Sequence, residues 1–153
     1  MTKMMKILKI LAISVLLMAG FGFAQNSGIP TNKVNNVVIK KILEKNYTVE
    51  IDEDGDLTVR SPETVITVKF EKNYGLIVLW CNVQKSMNWD EKETLDKMNE
   101  WNFGLGGSAA VSFINGRFVI KYGIKLGNHL DLDAFRSSVD YFMNICGMLI
   151  SKM

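Results

Sequence analysis

A chain with one histidine has few routes to acid–base or metal chemistry, and His129 is that histidine among 153 residues. It stands between Asn128 and Leu130, with Asp131 and Asp133 close behind, so the only acid–base constellation available is a loop imidazole beside two carboxylates. A multi-histidine metal site is excluded. No Gly-x-Ser-x-Gly elbow, phosphate loop or dinucleotide fingerprint occurs, and no spacing brings a serine to the histidine. The acidic run Asp52-Glu53-Asp54-Gly55-Asp56 alternates carboxylates as calcium loops do, but an EF-hand loop needs glycine at its sixth place, which here is Leu57. A solvated turn is the expectation there. Neither a catalytic residue, a metal nor a cofactor is assigned from these patterns.

Four other residue groups stand out. Asn99, Trp101 and Asn102 end an amphipathic stretch, and a buried amide without a partner costs about 1–3 kcal/mol, so the asparagines must bind either the following turn and strand or a ligand. Trp80 lies in the apolar run Leu76 to Trp80, which offers an interface if one side of that strand is uncovered. Trp80, Trp89 and Trp101 together could form an aromatic binding surface, with Trp101 a candidate binding residue beside Asn99 and Asn102, against core placement of most of the three. Cys81 shares a strand face with Ile77, Leu79 and Val83, and Cys146 lies on the apolar stripe of the last helix, so the pair could close a disulfide in an oxidising compartment.

The elements that must position these residues follow from periodicity. Thr31 can cap a first helix with Val34, Val37, Val38 and Ile42 on one stripe, ending near Asn46 as a left-handed cap. From Tyr47 the period becomes two: Tyr47, Val49 and Ile51, then Leu57 and Val59, flank the Asp54-Gly55 turn. Pro62 precedes a third strand, Val65 to Phe70, and a fourth follows Gly75 and is apolar on both faces, as a central strand is. Asn88 or Asp90 opens a second helix with Leu95, Met98 and Asn102 on its core side and Asn99 beside them. Ala109 to Ile114 and Arg117 to Ile124 form a hairpin about Asn115-Gly116. Asp131 or Asp133 then opens a last helix whose stripe is Phe135, Val139, Phe142, Cys146 and Leu149. The fold class is α+β, a mostly antiparallel sheet flanked by helices in the order α-β-β-β-β-α-β-β-α.

Residues 1–24 have another purpose. Lys3, Lys6 and Lys9 precede the apolar run Ile10 to Met18, and Gly22-Phe23-Ala24 supplies small residues, which predicts a signal peptide cleaved after Ala24. If uncleaved, residues 7–24 would act as a membrane anchor. Residues 25–30 are a short tether and 31–153 a single domain, periplasmic or secreted. Cleavage removes three lysines, leaving 15 basic against 16 acidic residues and a net charge of −1. No Lys/Arg cluster follows residue 41, so nucleic acid is a poor partner.

The run LDKMNEWN, then a glycine-containing turn, an Ala-rich strand, an Asn-Gly turn and a second strand, resembles the YbjN domain family, also called bacterial sensory transduction regulators. EIDEDGDLTV is similar to that family's first hairpin, and the likeness spans roughly Thr31 to Leu149, with Asn-x-Trp-Asn at Asn99 to Asn102 as its distinctive motif. The resemblance implies a fold similar to type III secretion chaperones, commonly dimeric, with no catalytic residues. A signal peptide departs from that family's usual members. The expectation is an exported, non-enzymatic module that binds a protein partner, itself included. The alternative is a periplasmic small-molecule sensor or carrier with a pocket between sheet and helices, using Asn99 and Asn102. A hydrolase would require His129 beside Asp131 or Asp133 in a cleft.

Overall fold

The structure is a computed structural model that describes residues 28–84, 89–105 and 109–152. The signal segment, residues 25–27 and Asn88 lie outside the described residues. Alternating apolar residues build strands β2 (Thr48–Ile51), β3 (Leu57–Arg60), β4 (Val65–Glu71), β5 (Leu76–Gln84), β6 (Ala110–Ile114) and β7 (Arg117–Lys125). All pair antiparallel in the order β2-β3-β4-β5-β7-β6. The strand that is apolar on both faces, β5, is interior: it pairs with β4 and, along all nine residues, with β7.

Helices α1 (Asn36–Leu43), α2 (Glu91–Gly104) and α3 (Leu132–Ile150) pack on one side of this sheet. That side carries Val49, Leu57, Val59, Ile66, Val68, Ile77, Leu79, Phe118 and Ile120, all buried. The α3 stripe meets them with Phe135, Val139, Phe142, Cys146 and Leu149, none more than 1% exposed. Burying one such large side chain contributes about 1.5–3 kcal/mol, so this stripe is the main anchor of the helix. No helix among the described residues is long and apolar enough to cross a membrane.

The expected element order is present, with two short strands added. Residues 28–30, expected at the end of a tether, form strand β1 (Gly28–Pro30), which pairs with β8 (His129–Asp131). Thr31 does not cap α1: its hydroxyl donates to the Gly127 carbonyl at 2.6 Å and its amide to Asn128 O at 3.0 Å, extending that pairing. Asn35 caps α1 instead, accepting from Val38 N at 3.0 Å. The later start rotates the buried stripe to Ile39, Ile42 and Leu43 and leaves Val37 55% exposed. Nor is Asn46 left-handed, since Asn46 and Tyr47 both return their amides to Leu43 O. Asn115 and Gly116 do take positive φ, 51° and 79°, giving the two-residue turn that Asn-Gly predicts.

Candidate functional site

The residues that a hydrolase would require are engaged in secondary structure. Asp131 is the N-cap of α3, its Oδ1 accepting from the amides of Asp133 at 3.0 Å and Ala134 at 2.9 Å. Asp133 is drawn to Arg136 at 3.4 Å. His129 is exposed on β8 with its ring over Gly28, where an added Cβ would lie 2.4 Å from the imidazole Cδ2. These three residues therefore build a strand pair and a helix start.

The acidic loop is likewise internally engaged. Asp52 Oδ1 accepts from the amides of Asp54 at 3.1 Å and Asp56 at 2.8 Å, closing the turn in which Gly55 has φ 82°. Burial pushes the Asp56 carboxyl above its ordinary range, with Lys69 opposing and Asp52 and Asp54 adding to the rise. At the other end of β3, a surface cleft of about 510 Å³ lies between the β3–β4 turn and α3, lined by Tyr47, Glu63, Asp140 and Asn144 among others. The Tyr47 hydroxyl donates to Asp140 there, and burial followed by that contact pushes its pKa well up. The tyrosine is held as a neutral donor, tying the end of α1 to α3.

The Asn-x-Trp-Asn motif divides by helix phase. Asp90 caps α2 and forms a reciprocal box with Glu93, at 2.8 and 3.0 Å. The buried face from that start carries Thr94 and Trp101, with Met98 half-buried; Leu95 is 46% exposed and Asn99 is exposed. Leu95 and Asn99 thus leave the core side expected of them, because the packing of Trp101 against Phe118 sets the rotation. Trp101 is 6% exposed and stacks its edge on Phe118, ring centroids 5.0 Å apart, with Trp89 6.1 Å away. Asn102 donates from Nδ2 to Val111 O at 2.9 Å and accepts at Oδ1 from Val111 N at 2.7 Å. Its amide thereby mimics a neighbouring strand at the free edge of β6. Trp101 and Asn102 bind the fold together, and Asn102 also lines a surface hollow with residues of β5, β6 and β7.

Trp80 lies elsewhere. The sheet face away from the helices presents Leu76, Val78 and Trp80 of β5, half-buried by their neighbours and covered by no described helix. Register places Lys69 and Gly123 beside Val78, and Thr67 and Lys121 beside Trp80. Two adjoining hollows of about 570 and 420 Å³ share Val78 and Lys121, the first running to Gly123 and Asn102, the second to Trp80 and Glu71. Gly123 lines the first hollow. Its backbone φ is not left-handed, the β5–β7 register passes it without a bulge, and an added Cβ would meet only Leu76 Cδ1 at an ordinary 3.5 Å. Interior glycine weakens a strand, and here neither a left-handed turn nor a bulge calls for it. Lys121 has no ion pair among the described residues, unlike Lys69, which faces Glu71 at 3.6 Å and Asp56 at 3.9 Å. Gly123 and Lys121 were missed in sequence; the lone glycine within an alternating strand was the available signal.

This geometry defines a class: an α+β domain whose helices cover one side of an antiparallel sheet and leave the other side open. The fold is similar to that of YbjN from E. coli, described as a candidate transcription regulator, at TM-score 0.57 and 9% identity over 76% of this chain and 89% of that one. It is also similar to a chain of the HopA1–SchA chaperone–effector complex, at TM-score 0.50 and 13% identity over 70% of this chain and 90% of that one. No family model matches the chain, and no curated protein matches it. The YbjN-like, chaperone-like fold implied by the sequence resemblance is therefore the fold of this protein.

Proposed function

We propose that this protein is an exported, non-enzymatic binding module that pairs with a second copy of itself through the open face of its sheet. The observation that carries this is the Leu76–Val78–Trp80 row beside the Gly123 hollow: half-buried apolar side chains on an uncovered central strand. The size is suitable. Nine residues of β5 span about 30 Å and six strands about 29 Å, and tapering toward the shorter outer strands leaves a footprint of roughly 600 Å² per copy, near the ~800 Å² of a stable interface.

The β7 flank of the face is basic, with Arg117, Lys121 and Lys125. The opposite flank carries Glu50, Asp56 and Glu71, paired within the chain to Arg60 and Lys69. A two-fold axis near β5 would bring Lys121 of one copy toward that mixed flank of the other, the isologous arrangement of most homodimers. A structural neighbour from a chaperone–effector complex supports protein binding as the kind of activity.

Replacing Val78 by glutamate should convert the dimer to a monomer with the far-ultraviolet spectrum of the parent and a thermal midpoint lowered only by the loss of pairing and independent of concentration, because Val78 contributes nothing to the helix-side core. A dimer that persists in the variant would remove the face from the account. Export rests on the lysine-flanked apolar segment and Ala24. Expression of the full chain in a bacterium should yield a periplasmic species whose mass lacks residues 1–24. An intact chain in the membrane fraction would replace secretion with anchoring by residues 7–24.

A further inference from the structure

The only two cysteines of the chain, far apart in sequence, meet in the core. Cys81 points from β5 to the helix side, 2% exposed, and Cys146 points from α3 to the sheet, fully buried. The two side chains face each other where α3 packs on β5, inside one buried cluster. Both are unbonded in the structure. Either position could hold any small apolar residue, and both neighbourhoods are otherwise aliphatic and aromatic, with Leu79, Val83, Val139 and Phe142.

We propose that Cys81 and Cys146 form an intramolecular disulfide that fastens α3 to the central strand. Oxidation proceeds by exchange with a disulfide-bearing oxidant, either a dithiol oxidoreductase or a low-molecular-weight disulfide. One cysteine thiolate attacks the oxidant's S–S bond and expels a thiolate, giving a mixed disulfide. The second cysteine, deprotonated, attacks the sulfur held by the protein and expels the oxidant's other thiolate. Two protein thiols lose two protons and two electrons, and one disulfide becomes two thiols. Burial of both sulfurs shuts an oxidant out of the folded core, so the bond forms while the chain is still open and is then sealed in.

The export reading enters only in saying where the oxidant is met; the chemistry is tested without it. The purified full chain is unfolded with reductant, refolded in a mixture of reduced and oxidised glutathione, then denatured and treated with iodoacetamide for intact mass. The expected product is a monomeric species lighter by two hydrogens and free of alkyl groups, with a higher denaturant midpoint than the same chain refolded under reductant. Two alkylated cysteines in a chain with native circular dichroism would overturn the proposal, as would a stable glutathione adduct or an intermolecular bridge. A Cys81→Ala/Cys146→Ala double variant with the midpoint of the reduced parent confirms that the gain belongs to the bond; a midpoint at the oxidised value would overturn it. Failure of export would leave this refolding result unchanged, so the two readings fail separately.

Discussion

Replacing Trp101 by alanine should cost the fold about 3–5 kcal/mol, the range for removing a large aromatic from a packed core. Its indole is 6% exposed and joins Trp89 and Phe118 in a three-ring cluster, ring centroids 5.0–6.1 Å apart. Edge-on aromatic contacts add about 0.5–1.5 kcal/mol to the burial itself. Trp80→Ala should behave differently. Its ring lies on the open face between Thr67 and Lys121, so truncation should cost only about 1–2 kcal/mol of stability but abolish pairing. Chemical denaturation and light scattering on both variants decide between these roles. Equal stability losses with association intact in both would make Trp80 a structural residue and leave the binding face without its largest contact.

The second large effect belongs to Asn102. Alanine there removes two hydrogen bonds to Val111 and leaves an edge amide and carbonyl of β6 without the partner that α2 supplies. A net hydrogen bond contributes about 0.5–1.5 kcal/mol and an unsatisfied buried group costs about 1–3 kcal/mol, so a loss of about 2–4 kcal/mol is expected. Aspartate keeps the acceptor toward Val111 N but faces Val111 O with a second acceptor, so Asn102→Asp should recover only part of the loss. The free edge would also be open to another strand, and Asn102→Ala should therefore aggregate on heating where the parent does not. Urea titration with turbidity against temperature measures both effects. Asn99→Ala, exposed and on the far side of α2, should change stability by less than about 0.5 kcal/mol.

What the sequence made legible was what depends on near neighbours. Five apolar residues from Phe135 to Leu149 hold helical spacing over nearly the whole of α3, so no competing period exists. Asn115-Gly116 fixes its hairpin through two positive φ angles that few other pairs tolerate. The apolar run of β5 marked an interior strand. The start of α1 was ambiguous because Thr31 and Asn35 can both cap, and only Gly127 and Asn128, from the other end of the chain, claim Thr31. The three-residue pairing of β1 with β8 is equally non-local. In α2 the apolar residues are too few to fix a phase, so the aromatic packing of Trp101 against Phe118 decides which asparagine turns inward.

The candidate site was half legible. Trp80 opposite the face of Cys81 followed from strand alternation, and so did the condition that helices on one side would leave it uncovered. The hollow did not, because Gly123 and Lys121 reach Val78 and Trp80 only through the register of β7 on β5. Asn99, Trp101 and Asn102 drew notice as unusual residues close together, but closeness in a helix spreads side chains over different faces, and only packing shows which face is which.

The central claim, self-pairing through the open sheet face, is tested most directly by the solution mass of the chain purified from expressing cells. Light scattering over a wide concentration range should give twice the chain mass throughout, and Val78→Glu should give the chain mass at the same concentrations. A parent chain that is monomeric at every concentration would contradict the account.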